Sequence, residues 1–185
     1  MMGCRMRIYT RRGDDGTTGL LYGGRVPKDS ALPRAYGAVD EAQATIGLVR
    51  AEAAPDGELH RIVTHIARDL WVLMAELATN PEQRARLEPG TSEVTAGMVA
   101  WLEEQIDGIS EEFSPPTQFV VPGQTRLAAL LDVARTVVRR AEREALGAVA
   151  GASQVVTYLN RLSDLLWVLA RWSEDESLET RSVRS

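Results

Sequence analysis

Residues 126–150, RLAALLDVARTVVRRAEREALGAVA, decide how the chain is read. At the ~100° advance per residue of an α-helix, Leu127, Leu131, Ala134, Val138, Ala141 and Ala145 fall on one narrow apolar face. That face belongs in a core. Arg135, Arg139 and Glu142 share its shoulder, while Arg140 and Arg143 point further outward. Arg135/Arg139 and Arg139/Arg143 are like-charge pairs at i, i+4, each unfavourable by roughly 0.2–0.5 kcal/mol in an isolated helix. Glu142 offsets part of this, and no run of Asp or Glu accompanies the arginines at helical spacing. Two readings stand open: a solvated basic face, or an anion site in which guanidinium groups grip phosphate oxygens in forked pairs. The acidic balance of the whole chain, -5, favours the second.

Outside this stretch, 185 residues at 44% hydrophobic suffice for one well-buried core and are short for two. Few aromatics and abundant Ala, Leu, Val, Glu and Arg favour packed helices over a sandwich or barrel. Mild acidity argues against nonspecific nucleic-acid binding. A single cysteine, Cys4, excludes a disulfide framework and a thiolate zinc site. His60 and His65 lack the HExxH spacing and read as surface or boundary residues. No apolar run is long enough for a membrane span, and MMGCRMRIYTRR lacks the apolar segment of a secretory signal, so the cytoplasm is the expected compartment. Lys28 is the only lysine of the chain.

Ile8 to Lys28, IYTRRGDDGTTGLLYGGRVPK, is too glycine-rich for a stable helix. Glycines let backbone N–H groups face an anion, and threonine hydroxyls add donors, so the segment is either a mobile surface loop or an ordered phosphate grip. It is neither a Walker A loop nor a dinucleotide fingerprint. Helical periodicity then predicts Arg34–Ala53 through Ala35, Val39, Ala42, Ile46 and Val49, and Glu58–Thr79 through Leu59, Ile62, Ile66, Leu70, Leu73 and Leu77. Asn80–Glu93 reads as a surface connection. A third helix spans about Thr95–Glu112 through Met98, Trp101, Leu102 and Ile106. Pro115 and Pro116 break the chain before an extended TQFVVPG, in which Phe119 reads as a core plug. After the arginine helix, Gln154–Trp172 carries Val155, Leu159, Leu162, Leu166 and Leu169, with Asn160 in its polar middle. The expected architecture is all-α, an antiparallel five-helix bundle preceded by a glycine-rich N-terminal loop. Its division is a 1–7 extension, a single helical domain over 8–172 and a polar, frayed tail over 173–185.

Three blocks taken together, YTRRGDDGTTGL with GGRVPKD, AYGAVDEA, and FVVPGQTRLAALLDVARTVVRRAER with YLNRLSDLLWVLAR, resemble the PduO-type ATP:cob(I)alamin adenosyltransferases. The likeness runs from Ile8 to Arg171. It implies a cytoplasmic homotrimer with three intersubunit active sites, the loop of one copy facing the arginine helix of the next. Carried over by position, the implied ATP contacts are Thr10, Arg11, Arg12, Gly13, Thr18, Gly19, Lys28, Arg139, Arg140, Glu142, Arg143 and Asn160. Asp40 and Arg135 match a family ion pair across the subunit interface, and Phe119 matches the aromatic residue beneath the corrin.

The implied reaction transfers the 5′-deoxyadenosyl group of ATP to cob(I)alamin, giving adenosylcobalamin and triphosphate, with Mg2+ held largely by the phosphates. A flavin-type reductase and an adenosylcobalamin-dependent enzyme are the implied partners, with no nucleic acid and no membrane. The alternative is a nonenzymatic trimeric module that binds and delivers ATP or a corrinoid. Three departures from the family pattern, DEAQ for DELN, GQT for Gly-Gly-Ser/Thr and Asp132 for a common His, bear on corrin affinity rather than on ATP binding.

Overall fold

The computed structural model describes residues 9–149, 151–174 and 176–182. The expected 1–7 extension with Cys4, together with Ile8, lies outside them. Five α-helices carry the chain: α1 (Ala31–Glu52), α2 (Glu58–Leu77), α3 (Ala96–Ser110), α4 (Arg126–Leu146) and α5 (Val155–Trp172). Around the bundle α2 packs on α1, α1 on α4, α4 on α5, and α5 on α3. The ion pairs Arg34–Glu144, Glu41–Arg140 and Glu52–Arg126 run up α1 and down α4, which fixes the two as antiparallel neighbours. No helix among the described residues is long and apolar enough to cross a membrane.

The core follows the apolar stripes. All the residues expected to face inward on α1, α2 and α5 are buried, as are Leu131, Ala134, Val138, Ala141 and Ala145 of α4. Leu127 is half-buried near the start of α4, where Thr125 caps the helix by accepting a hydrogen bond from the Ala128 amide at 3.0 Å. α4 stops at Leu146 with Gly147 as its cap, short of the Ala150 that the sequence stretch suggested. On α3 the buried residues are Val99, Leu102 and Ile109, while Met98, Trp101 and Ile106 are half-buried. Glu76 of α2 is buried and serves as a hub: it accepts from the Val94 amide at 2.7 Å, Ser153 Oγ at 2.6 Å and Arg84 Nη2 at 2.9 Å. The connections that precede α3 and α5 are thereby tied to one helix end.

Three expectations are corrected. The glycine-rich segment contains a two-stranded antiparallel hairpin, β1 (Thr17–Gly19) with β2 (Arg25–Pro27), in the register Thr18 opposite Val26. Its turn uses positive φ at Tyr22, Gly23 and Gly24, which glycine adopts without a Cβ penalty. The turn docks on the end of α2: Leu21 N–H donates to the Ala78 carbonyl at 2.8 Å, and Asn80 donates to the carbonyls of Leu21 and Gly23. Residues 176–182 of the tail, expected to fray, fold back along the TQFVVPG segment, while 175 and 183–185 lie outside the described residues. Val121 N–H donates to the Leu178 carbonyl at 2.8 Å, and the Thr180 amide and hydroxyl both donate to the Phe119 carbonyl. Phe119 itself is no core plug, because the backbone bonds of its segment hold its ring 88% exposed.

Candidate active site

The N-terminal segment is an ordered cradle. Thr17 donates to Asp15 Oδ1 from both its amide and its hydroxyl, and these bonds hold the Asp15 carboxyl below its usual range. Lys28 N–H donates to the Gly16 carbonyl at 2.9 Å, which carries the lysine back over the loop. A Cβ added to Gly13 would sit 3.0 Å from Lys28 Nζ and 3.1 Å from the Thr17 carbonyl oxygen, so only glycine lets the amine approach this closely. Arg25, which the sequence did not single out, closes the segment. It donates to the Arg12 carbonyl and to Thr17 Oγ1, and lies 3.7 Å from Asp15. Its pairing partners sit eight and thirteen residues away on the other side of a hairpin, a relation visible only once the strand register is known. Thr10, Arg11 and Arg12 lie exposed beside it, with Arg11 at φ +60° and stacked over the Tyr9 ring.

On α4 the arginines divide. Arg126, Arg135 and Arg140 each meet a carboxylate, from Glu52, Asp132 and Glu41 respectively. Arg139 and Arg143 are exposed and have no acidic partner among the described residues. Asp132, three residues before Arg135, is the acid that pairs with it. One expectation is revised by this. Arg139, expected on the half-buried shoulder with Arg135 and Glu142, is exposed, because Asp132 draws Arg135 inward and Asn160 of α5 draws Glu142 inward while nothing draws Arg139. Asn160 Nδ2 donates to Glu142 Oε1 at 3.1 Å, so these two residues, far apart in the chain, form one polar shelf beside the free arginines. Arg161 braces the shelf through Asn160 Oδ1, Glu103 and Asp164, and its bond to Glu103 strengthens its hold on its proton.

A third part, a cleft of about 800 Å3, opens at the other end of α4. Phe119, Val120, Pro116 and Trp167 form its apolar side, and Asp132, Arg135, Arg171 and Arg181 its charged side. Asp132 is 5% exposed and bonded at both oxygens, to Arg135 Nε at 3.1 Å and to Arg171 Nη2 at 2.7 Å. Arg171, 2% exposed, also reaches Glu174 at 3.1 Å. Trp167 and Arg171 were missed by sequence reading, which counted only the leucine stripe of α5. Their i, i+4 spacing on the edge of that stripe was the available signal.

Within one chain these parts stay separate. No hydrogen bond or ion pair among the described residues joins the cradle at residues 10–28 to Arg139, Arg140 or Arg143, and Asp40 stands exposed on α1 with no ion pair to Arg135. No group of three His, Cys, Asp or Glu among the described residues is placed to hold a metal ion. Chemically, the arrangement offers a glycine turn with a lysine amine close against it, a pair of guanidinium groups with no acidic partner among the described residues beside an amide, and a half-apolar cleft.

The sequence profile of the cobalamin adenosyltransferase family matches residues 8–173. A corrinoid adenosyltransferase of Mycobacterium tuberculosis is 42% identical over 170 residues, covering 89% of this chain and 87% of the relative. A cobalamin adenosyltransferase of Cupriavidus metallidurans is 40% identical over 174 residues, covering 92% and 90%. Among solved structures, a phenylalanine-to-alanine variant of the PduO-type ATP:corrinoid adenosyltransferase of Lactobacillus reuteri, complexed with cobalamin and ATP, superposes with a TM-score of 0.85 at 29% identity, covering 95% of this chain and 99% of that one. With a profile that spans the whole bundle and relatives aligned along most of their length, the chain belongs to the cobalamin adenosyltransferase family.

Proposed function

We propose that this protein transfers the 5′-deoxyadenosyl group of ATP to a Co(I) corrinoid, releasing triphosphate. The observation that carries the reading is the pair Arg139 and Arg143, the only arginines of α4 without a carboxylate among the described residues, set beside the Glu142–Asn160 shelf. Two adjacent uncompensated guanidinium groups call for an anion, and a polyphosphate supplies one. The Gly13–Lys28 cradle is the second anion grip. Since the two do not meet within one chain, the site is completed by the cradle of a neighbouring copy in a homotrimer.

Support for that assembly comes from the outer face of α1 and α4. Asp40, Ala44, Gly47, Leu48, Val133 and Thr136 are exposed there, with Leu48 55% and Val133 51% open. Small residues around two apolar side chains let another backbone approach closely. In the trimer, Asp40 of one copy pairs with Arg135 of another.

The roles are those that the resemblance to the family implies. Thr10, Arg11, Arg12, Gly13, Thr18, Gly19 and Lys28 bind the triphosphate of one ATP, and Arg139, Arg140, Glu142, Arg143 and Asn160 bind the same nucleotide from the facing copy. Mg2+ enters with the phosphates. Cobalt donates its electron pair to the 5′ carbon, a Co–C bond forms, and the C5′–O bond breaks with its pair leaving on triphosphate. Co(I) needs no further activation as a nucleophile, so the protein positions the reactants and stabilises charge on the leaving group. Phe119 lies along the corrin face and excludes water from the lower axial position. A flavin-type reductase supplies the electron upstream, and an adenosylcobalamin-dependent enzyme uses the product.

The test mixes purified protein, ATP, Mg2+ and chemically reduced cobalamin and follows adenosylcobalamin by absorbance. Product formation with stoichiometric triphosphate is expected. Folded, ATP-bound trimer that yields none would make the protein a delivery module instead.

A further inference from the structure

Packing does little to place the Phe119 ring, which is 88% exposed, yet the residue is held twice through its carbonyl: the Thr180 amide donates to it at 2.7 Å and the Thr180 hydroxyl at 2.8 Å. Further along, Val121 N–H donates to the Leu178 carbonyl at 2.8 Å, and Gln124 Nε2 donates to the Glu176 carbonyl at 3.2 Å. Tail and segment therefore run antiparallel, with Val120 opposite Glu179. One end of this ladder is fixed on the bundle. The hydroxyl of Thr125, the cap of α4, donates to the Ser173 carbonyl at 3.3 Å, and Glu174 pairs with the buried Arg171 of α5 at 3.1 Å. At the other end, which bears Phe119, Thr180 supplies the hydrogen bonds found among the described residues. Pro115 and Pro116 beyond it have no N–H to give.

We propose that Thr180 and Gln124 are positioning residues for the corrinoid: Thr180 pins the residue that carries the ring, and Gln124 pins the point where the segment turns off α4. This rests on the reading of Phe119 as the ring along the corrin face. Gly123 sits at φ +108°, where the missing Cβ leaves the backbone room to swing. The Gln124 amide ties the chain one residue beyond that swivel. Glycine at this position, the family pattern, has no amide to donate, so the departure at Gln124 adds a tie to the wall of the cleft. A segment left to swing would lose its freedom each time a corrinoid bound. The tail removes that freedom beforehand, with the ring already at the cleft.

Thr180→Val keeps the shape of the side chain and loses the hydroxyl donor, Thr180→Ser keeps the donor, and Gln124→Ala loses the amide. Both positions are exposed, so the melting temperature should stay near that of the parent. The assay follows adenosylcobalamin formed from Co(II) cobalamin with reduced flavin as the electron source. Thr180→Val and Gln124→Ala should each slow this reaction about three- to tenfold, the size of one hydrogen bond, while the KM for ATP stays within about twofold. Thr180→Ser should run close to the parent rate. In a Phe119→Ala background, Thr180→Val should add little, because no ring is left to place.

Parent rates in both Thr180→Val and Gln124→Ala would overturn the proposal. So would a full additional slowing by Thr180→Val on top of Phe119→Ala, since a tie that merely supports the fold acts whether or not the ring is present. Should Thr180→Val melt early, Gln124→Ala decides, tested with and without Phe119 in the same way. Failure of the parent protein to adenosylate any corrinoid would instead sink the proposed function, so the two failures are told apart in the same assay.

Discussion

Arg139 lies on α4 and Phe119 on the segment that precedes it, and under the proposed function single substitutions at them separate the two substrates. Both side chains are exposed, so truncating either changes folding stability by no more than about 0.5 kcal/mol. Arg139→Ala removes a charge-assisted bond to phosphate, which predicts a loss of about 1.5–3 kcal/mol in kcat/KM for ATP. Unchanged ATP kinetics would take Arg139 out of the site. Phe119→Ala should leave the KM for ATP where it was and slow the reaction begun from Co(II), where water must be kept off the metal. If it raised the ATP requirement instead, the ring would belong to the nucleotide. At this scale the sequence was informative where a charge lacked an obvious partner, as at Arg139 and Arg143. It was silent where a partner came from a facing element, as with Arg25 on Thr17 and Arg171 on Asp132.

Among the elements, α1, α2, α4 and α5 were legible because each buries a full stripe at 3.6-residue spacing. α3 was harder. It packs chiefly on α5, leaving Met98, Trp101 and Ile106 half-covered, so of the expected stripe only Leu102 is fully buried, with Val99 and Ile109 buried beside it. The hairpin and the folded-back tail were not legible, since backbone groups of Ala78, Leu21 and Phe119, rather than any side-chain pattern, hold them. One joint between helices has a measurable signature. Asp69 of α2 is buried against Tyr158 of α5, whose hydroxyl donates to it at 3.1 Å, and His65 stacks on Trp101 of α3 with centroids 3.8 Å apart. Burial raises the Asp69 carboxyl above its ordinary value, against the opposing pull of His65, Tyr158 and Arg68. The folded state therefore holds that proton more tightly than the unfolded chain. The stability this contributes is full below about pH 3.9 and is lost as pH rises through the folded value. Asp69→Asn is neutral throughout, so its melting temperature relative to the parent should improve between pH 4 and pH 7. A difference that stays constant with pH would mean that burial does not dominate at this carboxyl.

For the whole molecule, the proposed assembly makes activity and association inseparable. Leu48→Asp on the open α1–α4 face should cost about 3 kcal/mol per interface from lost apolar burial and a stranded charge, roughly a hundredfold in the dissociation constant. Sedimentation velocity would register smaller species, and ATP use per chain would fall with them; a variant that remains fully assembled and active would relocate the interface. The tail carries a different consequence. Thr180 reaches the carbonyl of Phe119 across 61 positions of chain, so the wall bearing that ring waits on residues translated long after it. A ribosome-bound intermediate can complete α1 to α4 while this wall is still unbuilt.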